Sequence, residues 1–371
     1  MTTLQAQALP PDLVSWLDAH AQALDTGAEH ASEVVPQLAQ AGLFRIGVER
    51  ESGGSGGTTV NAIEAIAAVA RHSLASAFVF WGQRTFIEYL LQSENGGLRE
   101  RCLSALLAGE QAGASGLSNA MKYLSALEPL QMHAAPLDAG ATRFRLDGAL
   151  PWITNLRPQG FVVAAAFDRP DNTPPAIFAV PHDAPGVKRS EDLDLIALRG
   201  SNTAALTLAG TEIDASWMIA ADARAFLVRA RPAFLGLQCG MSIGLARRSL
   251  HAVEASGPAV RAALADAAAA LRRELDALTA RLYEGVASGA FIARPAAQFE
   301  VRIGLAEIVA AAAQLDVQAA GGRGYLRSHD TWPAANDTAR RNREASFVPI
   351  VTPTLVQLKN QLAEHRRSEA A

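Results

Sequence analysis

Apolar residues recur at intervals of three and four from Pro10 to about Leu107, as in Leu13, Trp16 and Leu17 and later Ile63, Ile66 and Val69. This spacing predicts amphipathic helices. The run Glu51-Ser52-Gly53-Gly54-Ser55-Gly56-Gly57 breaks the pattern, and its glycines predict a plain connecting loop. No Lys-Ser/Thr pair follows it, so a phosphate cradle is not indicated. Between about Ala112 and Ile219 the pattern shortens to runs such as Phe144-Arg145-Leu146, Phe161 to Ala166 and Ala176 to Val180, set apart by Pro, Gly, Asp and Asn. These predict strands joined by turns. After Arg224 the helical spacing returns in Leu264, Leu271, Leu275, Leu278 and Leu282, then in Leu305, Ile308, Ala312 and Leu315. Such stripes predict the seams of a four-helix bundle, in which abundant alanine lets helices approach closely. The chain therefore reads as α+β, with helices over 1–110, a small β unit over 111–222 and a helical bundle over 223–371. The tail from Arg366 to Glu369 is expected to fray.

With 371 residues, 49% of them hydrophobic, the chain can bury large cores. The 33 Lys+Arg against 37 Asp+Glu give a formal net charge of -4, without the basic excess that a nucleic-acid partner demands. Cys102 and Cys239 are too few for a disulfide framework and lack the clustering of a zinc site. The N-terminus carries Asp12, Asp18, Asp25 and Glu29 with no basic start before an apolar run, so a secretory signal is not expected. Apolar helical runs are expected to be interrupted by charge before they span a membrane. A cytoplasmic protein with no membrane insertion follows as the expectation.

Four segments carry candidate chemistry. Leu146-Asp147-Gly148 leads into Trp152-Ile153-Thr154-Asn155, where an indole can pack on a flat ring and a hydroxyl can bond its edge; the alternative is a buried strand tryptophan followed by a turn-forming Asn. Gly113 to Ala120 offers Ser118 and backbone amides, or simply a surface turn. Leu198-Arg199-Gly200-Ser201-Asn202-Thr203 reads as a hairpin with polar turn residues. Gln318-Ala319-Ala320-Gly321-Gly322-Arg323-Gly324-Tyr325 has glycines that permit close approach to phosphate oxygens, or serve only as a helix C-cap.

In this order, and followed by Arg343-Glu344-Ala345 and Ile350-Val351-Thr352-Pro353-Thr354, the segments resemble the acyl-CoA dehydrogenase superfamily from about Gly42 to Leu358. The resemblance implies N-terminal helices, a central β-barrel and a C-terminal four-helix bundle. It also implies FAD bound between subunits of a homodimer or homotetramer, an acyl-CoA substrate, and an electron-transfer or flavin reductase partner. Trp152 and Thr154 would sit beside the isoalloxazine and Ser118 on its pyrimidine side. Gln318, Gly321, Gly322 and Gly324 would receive the pyrophosphate and adenylate of a neighbouring subunit's cofactor, and Thr354 would belong to the cofactor side.

The chain also departs from the family's pattern. Asn119 and Ala120 replace a Glu-Pro pair, and Phe291 to Phe299 keeps at most the arginine, Arg294, of the segment that reaches across the dimer. An exchangeable reduced flavin is therefore an alternative to resident FAD. The family's catalytic glutamate falls on Thr352, and threonine does not accept a proton near neutral pH without help. The other place for that glutamate falls on Phe234, with Glu254 and Asp222 near in sequence and Asp330 or Asp337 as remoter candidates. Gln83 stands where many members carry a histidine; a polar side chain holding a helix contact is the plainer reading. The expected functions are, in order, dehydrogenation of an acyl thioester, two-component flavin monooxygenation, and non-catalytic flavin or ligand binding.

Overall fold

The computed structural model describes residues 8–124, 129–326 and 333–370. Five helices come first: α1 (Pro11–Thr26), α2 (Ala31–Gln40), α3 (Thr59–Ala70), α4 (Leu74–Gln92) and α5 (Gly96–Ala108). The glycine run between α2 and α3 is a loop, tied back on itself where Gly47 N–H donates to Gly56 O and Gly56 N–H to Val48 O. Helix α4 starts where the Ser73 hydroxyl accepts from Ser76 N–H, an N-cap that satisfies one of the free amides of the first turn. Almost every side chain of α4 is buried, and the helix packs against α3, strand β1 (Ala112–Ser115) and helix α7 (Ala223–Glu254).

The β region comprises β1 (Ala112–Ser115), the short helix α6 (Ser118–Leu124), β2 (Met132–Pro136), β3 (Arg143–Ile153), β4 (Phe161–Phe167), β5 (Ala176–Pro181), β6 (Val187–Asp192), β7 (Ala204–Asp214) and β8 (Met218–Ala220). They form two four-stranded sheets, ordered β1-β4-β5-β8 and β2-β3-β7-β6. A bridge between His133 and Asp168 joins them at one corner. Inward residues of both sheets share one core, with Phe144, Leu146 and Leu150 facing Val163, Phe167 and Phe178. The opposite face of β4, through Val162, Ala164 and Ala166, packs into the helical core. Burial on both sides explains why Phe161 to Ala166 is continuously apolar, whereas β3 alternates.

Helices return as α7 (Ala223–Glu254), α8 (Pro258–Ala287), α9 (Ala290–Ala293), α10 (Pro295–Ala320), α11 (Pro333–Ala345) and α12 (Leu355–Ala370). Helix α7 is clasped by α3 and α10. Its backbone comes so close to α3 that a side chain at Gly244 would sit 2.1 Å from the Ala67 carbonyl oxygen. Two expectations change. The segment Pro295–Tyr325 is long and apolar enough by length and composition to cross a membrane. Its Val301, Leu305, Ile308, Val309 and Ala312 instead fill the protein core, where the charged Arg302 and Asp316 are buried beside them. The C-terminal tail continues α12, with Arg366 Nη2 bonded to Glu300 Oε1 at 3.0 Å, rather than fraying there.

Candidate active site

A cavity of about 410 Å³ opens where α4, the end of β3, the loop Leu195–Leu198 and the end of α11 meet. Phe78 and Trp81 from α4 form its apolar floor, backed by Phe347, whose ring lies 4.5 Å from that of Phe78. Ser115, Ser118, Trp152, Thr154, Thr203, Arg343 and Thr352 also line it. Trp152 lines the cavity and is 64% exposed, so the alternative of a buried strand tryptophan is overturned. Gly113 to Leu117, at the end of β1 and just past it, are buried, so this part of the second segment is not a surface turn.

The register of β3 against β7 places Ile153 opposite Ala204, which carries Thr154 against Thr203. Past that point Asn155 enters the left-handed region at φ 62°, a conformation asparagine tolerates, and turns the chain away. Gly82 makes the approach possible, because a β-carbon there would lie 3.2 Å from Thr154 Cγ2. Gln83 fixes the same corner. Its Nε2 donates to Leu106 O at 2.9 Å and Gln111 O at 3.0 Å, while its Oε1 accepts from Gly113 N–H at 2.6 Å and Asn155 Nδ2 at 2.9 Å. The side chain is fully buried and fully used, which makes it a structural joint and leaves it no lone pair for catalysis. Gln83→Leu is expected to lower stability by about 3 kcal/mol, the cost of stranding several buried polar groups. A thermal midpoint unchanged from the parent protein would contradict this assignment.

Arg343 is the one ionisable side chain among the described residues lining the cavity. Its Nε and Nη2 both donate to Asp25 Oδ2, at 3.0 and 2.8 Å. The other oxygen, Oδ1, accepts Leu198 N–H at 3.1 Å. Asp25 therefore ties two walls of the cavity together and steadies Leu198, a non-glycine residue held at φ 57°. Burial raises the Asp25 carboxyl above its ordinary range, opposed by the Leu198 amide and by Arg343.

Thr352 lies on the cavity wall. Its carbonyl accepts from Gln238 Nε2 at 3.1 Å. Gln238 is held in turn by the fully buried Arg302, whose Nε donates to its Oε1 at 2.8 Å and whose Nη2 donates to Val348 O at 2.9 Å. No aspartate, glutamate or histidine occurs among the described lining residues. Phe234 is buried behind the floor, its carbonyl accepting from Trp81 Nε1 at 3.4 Å. The remoter carboxylates are engaged elsewhere: Glu254 with Arg272, Asp222 in capping α7, and Asp337 with Arg340. Asp330 lies outside the described residues.

Ser118, Trp152, Thr154 and Thr352 thus meet in one place, and the remaining candidates do not. Gln318, Gly321 and Gly322 lie exposed at the end of α10, with Gly324 buried just beyond and Tyr325 91% exposed. Gly321 is the C-cap of α10. Thr354 caps α12: its amide donates to Gln357 Oε1 at 2.8 Å, and its hydroxyl accepts from Gln357 N–H at 3.3 Å. It is outside the cavity lining. Sequence reasoning missed Ser115, Thr203 and Arg343 as lining residues. Thr203 belongs to a segment whose polar turn residues suggest only a hairpin, and no local pattern around Arg343 signals its place in the cavity.

Residues 15–110 match the family model described as "Acyl-CoA dehydrogenase, N-terminal domain". A probable acyl-CoA dehydrogenase, YngJ, from Bacillus subtilis (strain 168) is 25% identical over 225 residues, covering 56% of this chain and 54% of that protein. The chain thus matches about half the length of this curated relative. Butyryl-CoA dehydrogenase from Megasphaera elsdenii shares the fold with a TM-score of 0.80 at 18% identity, over 95% of both chains. The glutaryl-coenzyme A dehydrogenase–glutaryl-CoA complex aligns with a TM-score of 0.81 at 17% identity, over 96% of this chain and 93% of that one. KijD3 in complex with FMN and a dTDP-linked amino keto sugar aligns with a TM-score of 0.77 at 18% identity, over 96% and 91%. Residues 15–110 thus match the acyl-CoA dehydrogenase N-terminal domain, and the whole chain, with its N-terminal helices, paired central sheets and C-terminal helical region, shares the fold of acyl-CoA dehydrogenases.

Proposed function

We propose that this protein is a flavin-dependent oxidoreductase whose isoalloxazine occupies the cavity beside Trp152 and Thr154. The observation that carries this reading is the convergence of the exposed Trp152 with Ser115, Ser118 and Thr154 on one cavity. That set suits a flat aromatic ring with acceptor atoms along its edge. The chemistry a bound flavin supplies is acceptance of a hydride from a C–H bond. FAD is the form we favour, with Gln318, Gly321 and Gly322 reaching the adenylate half from another copy of the chain in a dimer or tetramer. Their exposure leaves them free for that contact.

Dehydrogenation of an acyl thioester is the first reading of the reaction, supported by the match to the family's N-terminal domain and by the Bacillus relative. The lining residues bind and orient. None of the described lining residues supplies the carboxylate that removes an α-proton. That single feature favours a second reading, two-component monooxygenation, in which reduced flavin and oxygen replace proton abstraction. Anaerobic addition of acyl-CoAs of several chain lengths to the flavin-loaded protein separates them. Bleaching of the visible flavin absorbance supports the first; no bleaching, with oxygen consumed when reduced flavin is supplied, supports the second. Loaded protein that does neither would overturn both.

A further inference from the structure

Behind Thr154 runs a short line of hydroxyls with only one satisfactory direction. Thr154 Oγ1 and Thr203 Oγ1 are 2.6 Å apart, and Thr203 Oγ1 lies 2.8 Å from Ser201 Oγ. Ser201 is completely buried, and among the described residues its hydroxyl meets no acceptor other than Thr203. Each hydroxyl has a single proton to give, and a buried donor left without an acceptor is costly. Ser201 must therefore donate to Thr203, Thr203 to Thr154, and Thr154 into the cavity. The reverse order would strand the Ser201 proton. The same logic applies at Ser115: the fully buried Tyr89 hydroxyl lies 2.8 Å from Ser115 Oγ, so it donates there and leaves the serine proton for the cavity.

We propose that Ser201 and Thr203 are positioning residues that lock the Thr154 hydroxyl as a donor, so that the cavity selects a ring nitrogen that accepts over one that carries hydrogen. The inference rests on the flavin reading above. N5 of an oxidised flavin accepts a hydrogen bond, whereas N5 of the reduced ring bears a hydrogen and meets a locked donor unfavourably. The site is thereby tuned to hold the oxidised ring, which is the form that takes up a hydride.

The test compares dissociation constants for oxidised FAD and for dithionite-reduced FAD without oxygen, in the parent protein and in Thr203→Val, Thr203→Ser and Ser201→Ala. In Thr203→Val the Thr154 hydroxyl is free to turn its lone pair to the ligand. The ratio of reduced to oxidised dissociation constants is expected to fall about fivefold, the worth of one hydrogen bond. Thr203→Ser keeps the relay and should keep the ratio. Ser201→Ala removes the group that sets the direction and should lower the ratio even if the valine variant fails to fold. A ratio unchanged in both Thr203→Val and Ser201→Ala, whether or not the two affinities drop together, overturns the relay while leaving the flavin reading intact. Parent protein that binds neither form overturns the flavin reading and the relay with it.

Discussion

Thr352→Glu is expected to raise acyl-CoA-dependent flavin reduction at least about a hundredfold over the parent protein, the lower range of what a positioned general base contributes. The wall at this point is held by Gln238 and Arg302 through the backbone of residues 348 to 352, so the substitution changes a side chain without removing a support. The apolar floor of Phe78, Trp81 and Phe347 would raise the introduced carboxyl toward neutrality, the range in which a base works best. Thr352→Gln, matched in size but unable to take up the proton, should show no gain. Stopped-flow bleaching by acyl-CoA under nitrogen reads both. A folded, flavin-loaded glutamate variant no faster than its parent would refute the view that the absent carboxylate is what restrains thioester oxidation.

Asp25→Ala carries the second large effect. Asp25 is fully buried and is the shared acceptor for Arg343 and for the Leu198 amide. Its removal leaves a partly buried guanidinium and a strained loop without their partner, a loss of about 3 kcal/mol. The loop Leu195–Leu198 and Arg343 both line the cavity, so flavin retention should weaken together with thermal stability. Pairing Asp25→Leu with Arg343→Met removes both charges and should recover a substantial part of the stability, since an apolar pair of similar volume often replaces a buried ion pair without net loss. If Asp25→Ala unfolds at the parent temperature and retains flavin equally well, the pair does not hold the cavity in shape.

Much of the architecture was readable because burial imposes period. The alternation in Phe144 to Leu150 and the heptad-like leucines of α8 follow from having one buried face. The unbroken apolar run of β4 follows from having two. Helix α10 was harder, because Arg302 interrupts its apolar pattern in sequence yet is buried in space through bonds to Gln238 and Val348. At the site, Trp152 and Thr154 are legible from a short motif, and Ser118 and Thr352 only from the order of the segments, since neither segment keeps the family's residue types. Arg343 and Thr203 were not, because their place in the cavity depends on contacts made at a distance. Asp25 reaches Arg343 across 318 positions of sequence, and no local spacing announces such a pair. Gln83 was correctly suspected of a structural role, but its partners on three other segments could be named only from the fold.

Flavin binding in the cavity beside Trp152 and Thr154 underlies every reading above. Titration of purified protein with FAD, followed by tryptophan fluorescence and the visible flavin spectrum alongside Trp152→Ala, tests it most directly. Saturable binding with a perturbed flavin band is expected, weakened about tenfold in the variant by loss of the stacking surface. Colourless protein that fails to take up FAD, or equal retention by Trp152→Ala, would contradict it.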